Sequence, residues 1–251
     1  GSVRIIDLIQ KAFADAGYAV LPDLSNAIID MTEYGVPQNR KRIIILGVSK
    51  EHYGDKAEAM VEKFYSSYLP EYKIEKKATV RDAIGDLPKL RPLDEPISYL
   101  GRKLSHSVSD PLINGHISRF HNKRDIELFK FLEEDIASGR MKFTSTKSLK
   151  TLYTKLTGKT SNVHKYYVLR WDEPSNLIPA HLFKDGLRHI HPDPEQARTI
   201  TVREAARLQT FPDNYYFNCS QTDAFKMIGN AVPPLFAKKV AYAIYHLIQE
   251  N

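Results

Sequence analysis

An uninterrupted apolar run, Ile43-Ile44-Ile45-Leu46 followed by Gly47 and Val48, restricts the fold of this chain more than any other stretch. It lacks the period-of-two alternation of a strand with one wet face. It therefore predicts a strand covered on both sides, as in the parallel sheet of an α/β protein. Just upstream, Gly35 and Pro37 mark a turn, and Gln38, Arg40 and Arg42 put an amide and two guanidinium groups on the loop that enters the strand. Loops carried by such sheets are where anionic ligands are usually bound.

The remaining chain alternates helical and turn-rich stretches. Ile5, Leu8, Ile9, Ala12, Phe13 and Ala16 predict one face of a helix that stops at Gly17, and residues 18–21 then read as a strand. Residues 49–77 read as charged and helical. Residues 78–93 hold a short helix ended by Pro88, and the spacing of Pro88, Pro92 and Pro96 predicts an extended linker. Residues 122–139 predict a surface helix with Ile126, Phe129, Leu132 and Ile136 inward and Gly139 at its end. Residues 166–182, interrupted by Pro174 and Pro179, predict short strands of a small β-rich domain. Thr201 with Glu204 makes a capping box for a helix closed by Pro212, and Ser220 precedes another short helix. Phe236, Val240, Ala243, Ile244 and Leu247 form the apolar stripe of a last helix, which must pack on something.

Charge is unevenly distributed. The net charge is +6, yet residues 141–171 contain six lysines and Arg170 with no Asp or Glu, so the rest of the chain is close to neutral. The same window is rich in Ser, Thr and aromatic residues and shows no clear helical period. Lysine, arginine and hydroxyl groups contact phosphates, and aromatic and amide groups contact bases. The window thus predicts a nucleic-acid surface, with Lys155, Lys159 and Lys165 on phosphates and Asn162 and His164 as base readers; the alternative is a solvated basic loop. A single cysteine, Cys219, excludes an intramolecular disulfide framework, and the nine histidines show no His-Glu-x-x-His spacing, so no metal is predicted. No apolar run approaches roughly 18 residues, and a cytoplasmic protein is expected.

Four stretches together resemble the C-terminal half of the cytosine-5 DNA methyltransferases. "YGVPQNRKR" resembles that family's motif VIII, "TVREAARLQTFPD" its motif IX and "IGNAVPP" its motif X, while "YYVLRWDEPSNLIPAHL" is similar to the end of its target-recognition domain. The resemblance implies an α/β fold: the C-terminal part of an S-adenosylmethionine-dependent, Rossmann-like methyltransferase domain plus a small β-containing target-recognition domain. It divides the chain into residues 1–93 (catalytic α/β part and linker), 94–200 (target recognition) and 201–251 (motif IX and X helices). In that family a cysteine attacks C6 of a flipped cytosine, a glutamate protonates N3, and C5 receives the methyl group. By this resemblance Arg42 points into the cytosine pocket, Arg40 and Gln38 support the active-site loop, Asn230 and Ala231 lie at the methyl donor, and Arg203 and Glu204 organise the recognition domain. Ala231 departs from the serine common at that place.

No Pro-Cys pair, no Glu-Asn-Val stretch and no two glycines within six positions of each other occur in the chain. The expectation is therefore the DNA-recognition half of a restriction-modification methyltransferase. Such a half binds duplex DNA, is inactive by itself, and needs an N-terminal catalytic half or subunit that holds most of the S-adenosylmethionine. Isolated, it is expected to expose apolar surface and to form dimers. The competing reading is a catalytically silent, sequence-specific DNA-binding or regulatory module.

Overall fold

A computed structural model of the chain describes residues 4–162, 166–184 and 186–250. Helix α1 (Ile5–Asp15) ends where Gly17 takes the left-handed backbone conformation, φ 79°. Strand β1 (Tyr18–Ala19) follows, then β2 (Ile28–Asp30), a 3-10 turn at Met31–Tyr34, β3 (Lys41–Ile43) and β4 (Val48–Ser49). Helices α2 (Lys50–Tyr53) and α3 (Lys56–Lys63) run into a π-helical turn at Phe64–Tyr68, and α4 (Val80–Ile84) starts from a capping box between Thr79 and Asp82.

The strand expected at Ile43–Val48 is corrected. β3 ends at Ile43, which is 45% exposed, residues 44–47 are half-buried, and the pairings are antiparallel, β2 with β3 and β1 with β4. The physical reason lies in a side chain: the Tyr65 hydroxyl accepts from Leu46 N–H (2.8 Å) and donates to the Ile44 carbonyl (2.7 Å), taking backbone groups that a neighbouring strand would otherwise satisfy. Ile44, Ile45 and Leu46 still pack on the first core, built around Met31, Met60, Phe64 and the last helix.

The expected linker at Pro92 is instead strand β5 (Pro92–Tyr99), which forms a hairpin with β6 (Arg102–His106) through a turn at Leu100-Gly101. Helix α5 (Lys123–Ala137) matches the predicted surface helix, with Asn122 as its N-cap and Phe129 and Leu132 buried. A helix that the sequence did not predict, α6 (Thr146–Thr157), occupies the basic window, capped by Ser145 and ended by Gly158 in the left-handed conformation. Conversely, residues 166–182 do not form the predicted strands. Among the described residues they contribute isolated bridges, Val168 with Ile190 and Ser175 with Gln38, and a 3-10 turn at Ala180–Phe183. Pro174 and Pro179 remove ladder donors here.

The C-terminal elements follow their signals. Helix α7 (Val202–Leu208) carries the Thr201–Glu204 capping box, α8 (Gln221–Asn230) is capped by Ser220, and α9 (Pro234–Gln249) buries Phe236, Ala243 and Leu247 in the first core. A second core joins α4, α7 and α8 to the 169–182 stretch, and a third joins α5 and α6 to Tyr166, Val168 and Ile190. Tyr242, Tyr245 and Ile248 on α9, and Ile28 facing Ile43 across β2 and β3, remain exposed.

Candidate nucleic-acid interface and target pocket

Gln38 ties its own loop to two distant stretches, residues 175–178 and 208–209. The chain reaches it through the 3-10 turn capped by Asp30, with Gly35 at φ 87° reversing direction before buried Val36 and Pro37. Gln38 pairs with Ser175 in a parallel bridge, Asn39 N–H donates to the Ser175 carbonyl (2.8 Å), and Ser175 N–H donates to the Pro37 carbonyl (2.9 Å). The fully buried Gln38 amide accepts from Ile178 N–H (3.1 Å) and donates to the Leu208 carbonyl (3.1 Å) and to the Gln209 side-chain oxygen.

Arg40 extends this network to the turn after α8. Its guanidinium donates to the carbonyls of Ile178 (3.5 Å), Gly229 (3.3 Å) and Ala231 (3.1 Å), and Gln209 Nε2 donates to the same Ala231 carbonyl (2.7 Å). Burial, and then the Arg42 charge, lowers the Arg40 guanidinium to about 10, so it stays cationic at neutral pH. A cation held by carbonyls alone fixes backbone without neutralising its charge. Gln209 has no local signature; its role follows from contacts about 170 residues away in sequence, and sequence reasoning missed it.

Arg42 is different. It sits on β3 opposite Ile29, is exposed, and its Nη1 donates only to its neighbour's carbonyl, Lys41 O (2.8 Å), among the described residues. A guanidinium fork in that state is available to an anionic or carbonyl ligand. The structure thus brings Gln38 and Arg40 together with the motif IX and X stretches and leaves Arg42 facing outward. Asn230 is exposed at the end of α8, while the Ala231 carbonyl is occupied by Arg40 and Gln209. These two residues do not by themselves form an enclosed site for a methyl donor. No cluster of His, Cys, Asp and Glu among the described residues is arranged to hold a metal, and no described helix is long and apolar enough to cross a membrane.

Motif IX builds a second polar core. Arg198 donates to both oxygens of Glu204 (2.6 and 2.7 Å), the pair being fully buried, and the Glu204 carboxylate also accepts from Thr201 N–H (2.7 Å). Complete burial opposes ionisation of Glu204, yet the Arg198 charge and its hydrogen bonds outweigh it and hold the carboxyl well below the usual range. Arg203, also buried, donates to the carbonyls of Asn114 (2.8 Å), Pro212 (3.2 Å) and Tyr215 (2.8 Å). Both residues hold backbone together rather than face an open surface.

Five histidines surround this core. Burial, as the largest cause, lowers His106 and His189 to about 4 and His121 and His191 to about 3, and it lowers His116 as well. His191 is therefore neutral, and its 3.6 Å approach to Glu204 is a dipolar contact, not a second ion pair. On α5 the Glu133 carboxyl is fully buried; neither oxygen makes a well-formed hydrogen bond, the backbone amides of Ala197 and Arg198 being its nearest donors, and burial raises it well above 4.5.

The signs of these two effects oppose each other. The neutral histidines contribute stability that is complete above their ordinary 6.5 and is lost as pH falls toward 4, because the unfolded chain takes up protons that the fold refuses. Glu133, with its folded value raised, contributes below 4.5 and loses that contribution as pH rises. Urea titration should show wild-type stability falling steeply between pH 6.5 and 4. Glu133→Leu should add about 1–3 kcal/mol at pH 8, the cost of an unsatisfied buried polar group, and markedly less at pH 5. An equal gain at both pH values would show that Glu133 is not the titrating group.

The predicted DNA contacts are distributed unevenly. Lys155 lies exposed on α6, and Lys159 and Asn162 lie exposed beyond it; His164 and Lys165 fall outside the described residues. Cys219 is exposed, its Sγ 3.9 Å from Met227 Sδ.

The sequence model of the family described as C-5 cytosine-specific DNA methylase matches residues 2–246. The type II methyltransferase M.Bpa9945I of Bacillus paralicheniformis is 33% identical over 98% of this chain and 57% of its own length. The type II methyltransferase M.AgeI of Thalassovita gelatinovora is 30% identical over 97% of this chain and 70% of its own length, and M.Eco47II of Escherichia coli is 31% identical over 98% and 51%. A solved structure described as a DNA modification methyltransferase encoded within a prophage (E. coli) superposes with a TM-score of 0.60 at 22% identity, covering 97% of this chain and 65% of that one; it supports the fold. The chain thus spans from about half to about two thirds of the length of most of these proteins. The expectation of only the C-terminal half of such an enzyme is corrected by the family match, which takes in residues 2–246, nearly all of the chain. The chain belongs to the C-5 cytosine-specific DNA methylase family.

Proposed function

We propose that this chain acts in methylation of cytosine at C5 in duplex DNA, within a type II restriction-modification system. Arg42 receives the extruded cytosine and its backbone, and Gln38 and Arg40 act as positioning residues that fix the surrounding backbone. The observation that carries this reading is the network in which Gln38 and Arg40 tie residues 175–178, 208–209 and 229–231 together while the Arg42 fork stays exposed beside it. Fixed donors aimed at a developing charge are what electrostatic stabilisation of such a reaction requires.

S-adenosylmethionine, when bound, supplies the electrophilic methyl group, and Asn230 is the residue of this chain offered toward it. The lysines after Thr146 hold the duplex by its phosphates, and the target base leaves the stack to be reached. Attack at C6 needs a thiolate. The sole cysteine, Cys219, is exposed next to Met227 and has no base beside it among the described residues, so the chain by itself is expected to bind DNA without transferring methyl groups.

Two measurements test this. Mixed with labelled S-adenosylmethionine and duplex DNA, the chain should bind DNA and leave it unlabelled; transfer that Cys219→Ser abolishes would make Cys219 the nucleophile and overturn its dismissal. A duplex with its cytosine in a mismatch, where extrusion costs less, should bind about tenfold more tightly than the matched duplex. Arg42→Ala should remove that preference with stability changed by less than about 0.5 kcal/mol, as for an exposed side chain. Equal binding of both duplexes by the wild type would overturn the pocket assignment and favour the silent DNA-binding module.

A further inference from the structure

Helix α6 has two faces of opposite character. At 100° per residue, Lys147, Lys150, Thr151, Thr154 and Lys155 share one side, and Leu149, Leu152, Tyr153 and Leu156 the other. The apolar side packs on α5, with Leu149 buried and Leu152 and Tyr153 against the same core. That packing sets the rotation of the helix, so the lysine and threonine side faces solvent: Lys147, Thr151, Thr154 and Lys155 are exposed and Lys150 is half-buried.

The cations on this face lack the usual neutralisation. Elsewhere on the surface, Lys50 pairs with Glu58 (2.8 Å), Lys73 with Glu33 (2.6 Å), and Lys89 with Asp193 (3.0 Å) and Glu195 (3.2 Å). None of Lys147, Lys150 and Lys155 forms an ion pair among the described residues, and residues 141–171 contain no carboxylate at all. The helix is also firmly mounted. Buried Asp135 on α5 accepts from Phe143 N–H (2.9 Å) through its side chain and from Met141 N–H (3.1 Å) through its carbonyl, fixing the connection between the two helices.

We propose that α6 is a DNA-recognition helix whose outer face enters the major groove, Lys147, Lys150 and Lys155 contacting phosphates and Thr151 and Thr154 facing base edges. This deepens the proposed function and rests on it. Lys147 to Lys155 rises about 12 Å along the axis, comparable with the width of the groove. The Thr151 hydroxyl donates to the Lys147 carbonyl (3.0 Å), which leaves it an acceptor, while the Thr154 hydroxyl has no partner among the described residues and can donate as well. Threonine suits either role, since its hydroxyl meets donor or acceptor edges and its methyl packs on that of thymine. Placed on a helix buttressed by α5, these groups hold their register better than they would on a loop.

The test is selection of preferred duplexes from a randomised pool by the wild-type chain, followed by binding of the selected and scrambled duplexes at several salt concentrations. Lys147→Ala and Lys155→Ala should each weaken both duplexes alike and lower the salt slope by about one unit. Thr151→Ala with Thr154→Ala should leave scrambled binding intact, cost about tenfold on the selected duplex, and erase the preference at one or two base pairs. All these side chains are exposed, so circular dichroism and the urea midpoint should stay at wild-type values. Unchanged slope and preference in folded α6 variants would overturn the assignment of α6 alone, most sharply if Arg42→Ala still removes the mismatch preference. Failure of the wild type to bind any duplex at low salt would instead overturn the proposed function.

Discussion

Glu204→Ala will unfold at a much lower urea concentration than the wild type, with a loss of about 3–5 kcal/mol. The substitution leaves the Arg198 guanidinium buried without its carboxylate partner and removes half of the capping box that starts α7. Attraction between the two ions only offsets what their desolvation costs, so the loss comes from stranding one charge and not from a large net gain of the pair. Against a typical total of about 5–15 kcal/mol, this is enough to populate unfolded chain at growth temperature. A double replacement separates the two ideas. Arg198→Met with Glu204→Leu should recover most of the loss, minus about 1 kcal/mol for the cap. If the double variant is as unstable as Glu204→Ala, the pair is a net stabiliser and the reasoning about desolvation is wrong.

Gly229→Ala is expected to do comparable damage through backbone geometry. A Cβ at this position would fall inside the envelopes of Ala180 N and the Pro179 carbonyl carbon, and backbone atoms cannot swing aside as a flexible side chain can. Either α8 or the turn at Ala180–Phe183 must move. The Gly229 and Ala231 carbonyls would then leave Arg40, and with them the brace behind Arg42. Overpacking of this kind costs about 1–3 kcal/mol, and this close approach belongs at the upper end. The mismatched-cytosine preference should disappear even in samples kept folded at low temperature, while salt-dependent binding through α6 persists. Retention of that preference would mean that the turn after α8 does not support the pocket.

What the sequence revealed of this fold depended on whether the deciding interaction was local. The capping boxes of α4 and α7, the N-caps of α5 and α8, and the apolar stripe of α9 lie within a few residues of the elements they specify, and the corresponding helices are present, though neither the α4 box nor the Asn122 cap was singled out. The Ile43–Val48 run was misjudged because its backbone groups are met by the hydroxyl of Tyr65, about 20 residues on, which no hydrophobic pattern encodes. For α6 a signal existed: Leu149, Leu152, Tyr153 and Leu156 recur at helical spacing. The surrounding lysines and threonines drew attention to charge and away from that period. Gln38, Arg40 and Arg42 were legible as a cluster through the family resemblance. The resemblance also set Arg42 apart from the two supporting residues; which backbone groups Arg40 would hold was not legible, because they are carbonyls from residues 178 to 231. The buried histidines and Glu133 were invisible for the same reason: burial is a property of the packed core, not of a residue's neighbours in the chain.

The parallel bridge between Gln38 and Ser175 bears on how proteins built this way can vary in length. It fixes the exit of the stretch that carries the hairpin, α5 and α6 against the loop entering β3, so that stretch, from residue 90 to residue 170, leaves and returns to the packed cores at fixed points. Closing a flexible loop becomes only slowly harder with length, about 0.6 kcal/mol for each doubling. A longer or exchanged recognition segment would therefore weaken this attachment very little, provided it delivers a Ser175-like residue to the same bridge, and grafting at residues 90 and 170 is where such an exchange would best be attempted.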